Sequence, residues 1–359
     1  MKIIQVLPCL NKGDAVGNDC RAIHKLLQDK GYTSVIYSDI IQDKNEGIAI
    51  HIDDWVEPEK DDVIIYHLSV GWRHIDLIEK AKCKKIFIYH NVTPPMFYEE
   101  YDRISYLACI EGLDDVILLR NSFDYGICDS DFNRSDLIKY GYKCPMDVVP
   151  ILIPFEDYKR KADEGIINKY KNSDGTKILF TGRVVPNKKQ EDVIRIFYLY
   201  KKYFDEKAKL FIVGNFNENS EYCKRLADYK NALELEDVIF TKHISFEEIL
   251  GYYEVSDLFL CMSEHEGFCV PLVESMLFDL PVLAYDAGAI KETLGNSGIV
   301  FSDKNYLEIA AFIDYLMKDE NLKNSILEEQ RKRLKDFDTN IISDMFIEKL
   351  EKFISEVKK

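Results

Sequence analysis

Residues 263–274 read SEHEGFCVPLVE, and this stretch decides the fold of the half of the chain that contains it. It follows the apolar run Leu258–Met262, which has the length of a buried β-strand. Pro271 suits the first turn of a helix, because the N–H that proline lacks would have no intrahelical partner there. The stretch therefore predicts a strand, a loop and a helix, the unit from which parallel sheets are built.

Two carboxylates of the same stretch matter here, Glu266 in the loop and Glu274 in the first turns of the helix. Gly267 lets the backbone pass close to a ligand, and the free N–H groups of the helix start can bind an anion. Two acids beside an anion site are explained if they bind hydroxyl groups, which a sugar and a ribose would supply. The structural alternative is a pair of solvated acids near a helix N-terminus, where acids are favoured.

Short apolar segments alternate with helix-length segments along the whole chain. Strands are predicted at 3–7, 34–37, 63–67, 85–90, 125–128, 146–149, 177–181, 208–213, 238–241, 258–262, 282–285 and 299–301. Helices are predicted at 19–30, 75–81, 191–204, 220–233, 246–254, 272–278 and 307–318, and the charged stretch 321–359 is also helical. The alternation predicts an α/β chain of βαβ units, and the polar stretch 156–175 indicates a domain boundary.

Composition narrows the class of protein. The 359 residues fit two domains, and 63 acidic against 47 basic residues give a net charge of −16, which argues against a nucleic-acid binder. Nine cysteines, irregularly spaced and without a C-x-x-C pair, favour free thiols in a reducing cytoplasm. No stretch has the length of a transmembrane helix, so a lipid substrate would be met at the membrane surface.

The sequence resembles the family 4 retaining glycosyltransferases, which have the GT-B fold. Residues 263–274 match the E-x7-E signature of that family, and the match continues through 281–284, 287–292 and 298–301. Upstream, LFTGRVVPNK at 179–188 resembles the family's strand followed by its Gly-Arg and Lys block, and LFIVG at 210–214 also fits.

The resemblance implies two Rossmann-like domains whose parallel sheets face each other across a cleft. Residues 1–153 would form an acceptor-binding domain and residues 154–337 a nucleotide-sugar-binding domain. A C-terminal helix, at about 338–359, would cross back to the N-terminal domain.

The resemblance also implies roles for single residues. Glu274 would bind the ribose and Glu266 the transferred sugar, whereas Arg183 and Lys188 would hold the diphosphate and stabilise its developing charge. Gly267 completes this set together with the backbone N–H groups of Phe268, Cys269 and Val270 at the start of the helix. For Arg183 and Lys188 the structural alternative is surface charge in a turn.

The first half of the chain carries weaker signals. Gly13 and Gly17 lie in a segment predicted as a glycine loop between the first strand and the first helix, where the resemblance suggests a donor-phosphate or acceptor contact. His90 follows a strand and resembles the histidine that family members place near the reacting sugar. His67 also ends a strand, and a structural role is an equal alternative for it.

Two positions depart from the family pattern, and one further motif has to be weighed. Cys269 and Asp279 stand where the family commonly has glycine, and Cys269 puts the identity of the donor in doubt. Asp129-Ser130-Asp131 has the D-x-D text of metal-dependent transferases. We interpret Ser130 or Asp131 instead as the N-cap of a helix that begins near Asn133.

The family implies a metal-independent hexosyltransferase without a cofactor, which takes UDP-hexose or GDP-mannose as donor and a glycan or lipid-linked glycan as acceptor. The usual context of the family is surface polysaccharide biosynthesis. We expect a location in the cytoplasm, and peripheral contact with the inner face of the membrane is left open. Two alternatives remain at this stage. One is a nucleotide-sugar epimerase of the same fold, and the other is a non-catalytic sugar-binding subunit.

Overall fold

The computed structural model describes residues 1–11, 13–42 and 47–357. The chain forms two compact units. Unit 1 comprises Met1–Met96, Ile104–Pro154 and Phe337–Lys359, and unit 2 comprises Phe97–Arg103 and Phe155–Asp336.

Unit 1 contains a parallel sheet of seven strands in the order β3-β2-β1-β4-β5-β6-β7. The strands are β1 (Lys2–Leu10), β2 (Thr33–Ile41), β3 (Ala49–His51), β4 (Val63–Leu68), β5 (Lys84–Tyr89), β6 (Tyr125–Cys128) and β7 (Met146–Val148). The helices between them are α1 (Ala15–Asp29), α2 (Ile75–Lys80), α3 (Arg103–Leu118) and α4 (Asp131–Lys139). All six residues of β4 are buried, as expected for a parallel strand covered on both faces.

Unit 2 contains a parallel sheet of six strands in the order β10-β9-β8-β11-β12-β13. The strands are β8 (Lys177–Thr181), β9 (Lys209–Val213), β10 (Val238–Phe240), β11 (Leu258–Cys261), β12 (Val282–Tyr285) and β13 (Ile299–Phe301). The helices are α5 (Glu164–Tyr170), α6 (Gln190–Tyr203), α7 (Glu221–Ala232), α8 (Phe246–Val255), α9 (Val270–Leu277), α10 (Ile290–Leu294), α11 (Tyr306–Lys318) and α12 (Glu320–Leu334). Neighbouring strand residues such as Leu210 and Phe211 enter different core clusters, so both faces of the sheet are covered.

The last long helix, α13 (Thr339–Val357), belongs to unit 1. Ile342, Phe346, Leu350 and Phe353 form one apolar stripe along it and lie in the same core cluster as Ile3 of β1. The predicted helical stretch 321–359 is thus two helices, α12 and α13, separated by a 3-10 turn at Lys335–Phe337. Residues 358 and 359 lie outside the described part of the chain.

The segment Phe97–Arg103 differs from the predicted domain bounds, because it belongs to unit 2 although residues on both sides of it belong to unit 1. Its Tyr101 ring packs edge-on against Tyr222, with 5.3 Å between the ring centroids, and the Arg225 guanidinium hydrogen-bonds to the Tyr101 hydroxyl. Among the strands and α-helices of the described residues, strand β3 and helices α3, α5 and α10 were not predicted.

Candidate functional site

The loops that follow β8 and β11 lie side by side in unit 2. These two strands are neighbours, and the chain order reverses direction between them, so the sheet has its topological switch point there. In open parallel sheets, ligands bind in the crevice outside the carboxyl ends of the strands at such a point. The predicted residues Arg183 and Lys188 follow β8, and Glu266 follows β11.

Backbone hydrogen bonds hold the loop around Glu266 in place. The Glu264 N–H donates to the Asn187 carbonyl at 2.8 Å, and the Asn187 side-chain amide donates to the His265 carbonyl at 3.2 Å. On the other side, the Ala289 N–H donates to the Glu266 carbonyl at 2.9 Å. Gly288 has a φ of +59°, and a Cβ there would overlap the Glu266 backbone, so glycine is required for this approach.

Lys188 and Glu266 form a buried ion pair. The Lys188 Nζ lies 2.5 Å from both carboxylate oxygens, and the side chains are 17% and 6% exposed. Burial disfavours the charged form of Lys188, but the carboxylate of Glu266 outweighs it and the pKa of Lys188 lies above its usual value. The sequence predicted that Lys188 binds the diphosphate and that Glu266 binds the sugar, but it did not indicate that the two side chains contact each other.

Arg183 is exposed, and its guanidinium makes no hydrogen bond or ion pair with the described residues. Its backbone is fixed, since the Arg183 carbonyl accepts a hydrogen bond from the Gln190 side chain at 3.0 Å. Of the two predicted cations, Lys188 is therefore already neutralised by Glu266, whereas Arg183 is available to an anionic ligand.

Glu274 lies in the fifth position of α9, and tyrosine hydroxyls hold both of its carboxylate oxygens. Tyr158 donates at 2.5 Å and Tyr253 at 2.7 Å, and Tyr253 also shares a 2.6 Å hydrogen bond with Thr181 at the end of β8. Burial raises the pKa of Glu274, and the two hydroxyls partly offset this shift. Sequence reasoning missed both tyrosines, because they lie 116 and 21 residues away along the chain.

The start of α9 explains one departure from the family pattern. Cys269 occupies the N-cap position of the helix with a φ of +72°. Val270 is the first residue of the helix and Pro271 the second. A side chain in this left-handed conformation costs roughly 1–2 kcal/mol that glycine avoids. Asp279 is the other departure, and with a φ of +52° it also has a left-handed conformation that glycine would adopt without this cost.

Unit 1 brings together a buried chain of polar side chains. His90 Nδ1 lies 2.8 Å from Asp129, His90 Nε2 lies 2.9 Å from His67 Nδ1, and His67 Nε2 lies 3.0 Å from the Gln5 side-chain oxygen. Since an amide oxygen only accepts, His67 donates to it, and its Nδ1 then accepts from His90. His90 therefore donates from both ring nitrogens, which is the protonated imidazolium.

The charges around His90 agree with this arrangement. Burial disfavours the imidazolium, but Asp129 and then Asp19 outweigh it, so the pKa of His90 is raised. Burial raises the pKa of Asp19 to about 7, and burial followed by the charge of His90 lowers the pKa of His67 well below its usual value. The His90 side chain is only 2% exposed, so its imidazole is engaged with protein groups rather than open to a substrate.

The predicted glycine loop is partly helical, which corrects the expectation for Gly17. Helix α1 begins at Ala15, because the side chain of Asp14 caps it by accepting from the Gly17 N–H at 2.6 Å. That N–H is therefore not free for a phosphate. Gly13 lies before the helix with a φ of +86°. The N-cap interpretation of Ser130 is confirmed, since its hydroxyl accepts from the Asn133 N–H at 3.1 Å.

Two groups of side chains in the described part of the chain could hold a metal ion, because their ligand atoms lie within 4.8 Å of one another. They are Asp19 with His67 and His90, and Cys261 with Glu266 and Cys269. In the first group the two histidines already hydrogen-bond to each other, and in the second Lys188 holds both oxygens of Glu266. A metal would have to displace these partners.

Comparison with known proteins identifies unit 2. Residues 163–333 match the family model described as Glycosyl transferases group 1. Unit 2 therefore contains a domain that matches the group 1 glycosyl transferases. The predicted resemblance to this family is confirmed, and the group 1 domain contains Arg183, Lys188, Glu266 and Glu274.

Curated relatives carry related names. The chain is 25% identical over 188 residues to "Capsular polysaccharide biosynthesis glycosyltransferase CapM" of Staphylococcus aureus, covering 51% of this chain and 48% of that one. It is 27% identical to "Alpha-monoglucosyldiacylglycerol synthase" of Streptococcus pneumoniae and 21% identical to "O-antigen chain mannosyltransferase B" of Escherichia coli. These matches cover 60% and 62% of this chain and 49% and 58% of those relatives. The match thus spans about half the length of these relatives.

Solved structures show the fold over the whole chain. Anabaena HepE, solved in complex with UDP and glucose, superposes with a TM-score of 0.75 at 17% identity, covering 98% of this chain and 100% of that one. Sucrose-phosphate synthase from Thermosynechococcus elongatus gives 0.78 at 13% identity, covering 99% and 100%. The predicted α/β class and GT-B fold are confirmed. None of the helices in the described ranges combines the length and apolar character that crossing a bilayer requires.

Proposed function

We propose that this chain is a retaining, metal-independent hexosyltransferase that moves a hexosyl group from UDP-hexose or GDP-mannose to a glycan or lipid-linked glycan. The observation that carries the proposal is the meeting of Arg183, the Lys188–Glu266 pair and the start of α9 at the switch point of a group 1 domain. Such a place combines fixed cations with free backbone N–H groups, which is what a diphosphate needs.

Most of the predicted site residues have a role in this proposal. Arg183 binds the diphosphate, because its guanidinium is exposed and uncommitted. Lys188 stabilises the charge that builds up on the leaving diphosphate, while Glu266 exchanges its hold on Lys188 for the hydroxyls of the sugar. Glu274 accepts hydrogen bonds from the ribose, and the N–H groups of Cys269 and Val270 add to the phosphate site. His90, held charged by Asp129, supports the acceptor side.

Retention is proposed to proceed by front-face substitution. The bond between the anomeric carbon and the diphosphate oxygen breaks as the acceptor oxygen attacks the same face, and the leaving diphosphate takes the acceptor's proton. Glu266 is not assigned the role of a covalent nucleophile, since it is engaged first by Lys188 and then by the hydroxyls of the sugar. The cations supply the positive charge that a metal supplies in other transferases.

The named relatives favour the proposed acceptor and context. Capsular polysaccharide, an O-antigen chain and a diacylglycerol glycolipid are all cell-surface products named in the relatives' descriptions. HepE was solved with UDP and with UDP-glucose, which favours a nucleotide-sugar donor. A cytoplasmic chain with peripheral contact to the membrane would suit such acceptors.

The test follows UDP-glucose and GDP-mannose by proton NMR, first with water as the acceptor. We expect slow release of nucleotide and of a sugar whose first-formed anomer keeps the donor's configuration, unchanged by a chelator and reduced at least tenfold in Arg183→Ala. Inverted sugar would refute retention. An epimerised nucleotide-sugar would indicate an epimerase, and no turnover or binding of either donor would indicate a non-catalytic subunit.

A further inference from the structure

Two buried cysteines flank the loop that carries Glu266. Cys261 is the last residue of β11 and Cys269 immediately precedes α9, and they are 1% and 7% exposed. Their sulfur atoms and a Glu266 carboxylate oxygen all lie within 4.8 Å of one another, and the Cys261 thiol donates a hydrogen bond to the Ser263 hydroxyl at 3.3 Å. The proposed transfer reaction uses neither thiol.

The left-handed backbone conformation of Cys269 indicates that its side chain has a functional role. With a φ of +72° this position would accept glycine without strain, yet it carries a thiol that points into the core cluster containing Cys261. Strained positions of this kind persist where the surrounding structure fixes them, and they cluster at functional sites. Here the strain brings one sulfur next to another.

A redox role is favoured over a metal site by the neighbours of the two thiols. A cation bound by both sulfurs and Glu266 would have to displace Lys188, whose ammonium group lies 2.5 Å from both carboxylate oxygens. A reaction between the sulfurs themselves displaces no ion-pair partner of Glu266, although it removes the hydrogen bond that the Cys261 thiol donates to the Ser263 hydroxyl at 3.3 Å.

We propose that Cys261 and Cys269 are a modification site at which hydrogen peroxide forms a disulfide, and that this disulfide disables the donor site. The effect on the donor site rests on the proposed function, whereas the formation of the disulfide does not. Peroxide is small enough to reach thiols that are almost fully buried.

The chemistry needs one peroxide molecule for each disulfide. The Cys261 thiolate attacks the peroxide, which gives a sulfenic acid and a hydroxide ion, and that ion becomes water by taking up the proton that Cys261 had released. The Cys269 thiol then attacks the sulfenic sulfur, forms the S–S bond and gives its proton to the leaving hydroxyl, which departs as the second water. Two thiols are oxidised and one peroxide is reduced to two waters. The neighbouring Cys269 thiol is the main cause that lowers the pKa of Cys261, which favours Cys261 as the sulfur that attacks the peroxide.

The disulfide would change the geometry of the loop between its ends. A sulfur–sulfur bond is about 2.05 Å long, much shorter than any non-bonded contact between two thiols, so its formation draws the start of α9 toward the end of β11. Residues 262–268, including Glu266, become a closed loop. The Lys188–Glu266 contact and the backbone N–H groups of Cys269 and Val270 then shift from their reduced positions.

Trypsin provides a clean readout. No lysine or arginine lies between Lys242 and Lys291, so the peptide 243–291 contains Cys261 and Cys269 and none of the other seven cysteines. After treatment of the reduced full-length chain with peroxide and then iodoacetamide, we expect this peptide without alkyl groups and two hydrogens lighter, reversed by dithiothreitol. Cys261→Ser and Cys269→Ser should abolish it, whereas Cys223→Ser, at a buried cysteine elsewhere in unit 2, should not.

The effect on the site is measured separately, by titrating reduced and oxidised chain with UDP and GDP. We expect the nucleotide that binds the reduced chain to bind at least about tenfold more weakly after oxidation, with Cys269→Ser insensitive to peroxide. Alkylation of both thiols in the peroxide-treated peptide would overturn the proposed disulfide. Unchanged affinity in the oxidised chain would overturn its effect on the site, and a reduced chain that binds neither nucleotide would instead refute the proposed function while the disulfide result stands.

Discussion

The ion pair between Lys188 and Glu266 can be measured by a double-mutant cycle with Lys188→Met and Glu266→Gln. The two groups lie 2.5 Å apart, with side chains 17% and 6% exposed, so water screens them little. Removal of the lysine alone leaves a buried carboxylate without its partner, which typically costs about 3–5 kcal/mol of unfolding free energy. When both charges are removed, no unpaired charge is left, and the loss should be much smaller. We therefore expect a coupling energy of at least about 2 kcal/mol.

Differential scanning calorimetry measures the effect. Unit 2 has about 190 residues, and for a domain of that size 1 kcal/mol shifts Tm by roughly 2–4 °C. Lys188→Met should lower the Tm of unit 2 by about 6 °C or more, and the double variant should recover most of that loss. Both tryptophans, Trp55 and Trp72, lie in unit 1, so their fluorescence follows the other unit independently.

A matched control is Lys207→Met, because Lys207 forms a 2.8 Å ion pair with Asp174 on the surface of the same unit. We expect little change there, since water and salt screen exposed pairs. If Lys188→Met shifted the Tm no more than Lys207→Met, or if the two changes at the buried pair were additive, the account of this pair as a mutually neutralised buried unit would be wrong.

Three further predictions concern neighbouring features. Tyr253→Phe should cost about 1.5–3 kcal/mol in urea unfolding, because it leaves a buried oxygen of Glu274 unpaired, and Tyr252→Phe, with a tyrosine on the same helix that does not contact Glu274, should cost less. Gly288→Ala should destabilise more than Gly31→Ala, since both have positive φ but only the Gly288 methyl would meet the Glu266 backbone; equal losses in urea would contradict this. The pKa of Asp19 is raised from 3.8 to about 7, so the folded state favours the protonated carboxyl and loses stability as pH rises between these values. Asp19→Asn should therefore gain stability relative to wild type over that range in urea titrations, and a difference independent of pH would contradict the shift.

Much of the fold could be predicted because buried parallel strands are short apolar runs. The strands at Tyr125–Cys128, Lys177–Thr181 and Val282–Tyr285 lie where the sequence predicts them. Helix α3 was missed, since it buries only Cys109, Gly112 and Val116 and exposes several apolar residues, so its sequence has no clear apolar stripe.

The site was predicted in its residues but not in its contacts. Motif spacing indicated Glu266, Glu274, Arg183 and Lys188, because each lies in or beside a loop that follows a strand. The partners of these residues depend on tertiary packing. Tyr158 reaches Glu274 across 116 residues, and Asp129, interpreted from the sequence only as part of a helix start, holds His90 across 39.

Titration of the reduced chain with UDP and GDP by isothermal calorimetry tests the central claim, that unit 2 holds a nucleotide-diphosphate site. We expect one of the two nucleotides to bind, and we expect Arg183→Ala and Glu274→Gln each to weaken binding by about tenfold or more, as for the loss of a hydrogen bond to a charged group. Arg73→Ala, which removes an exposed arginine of unit 1, should bind as the wild type does. Absence of binding for both nucleotides, or wild-type affinity in both site variants, would contradict the claim.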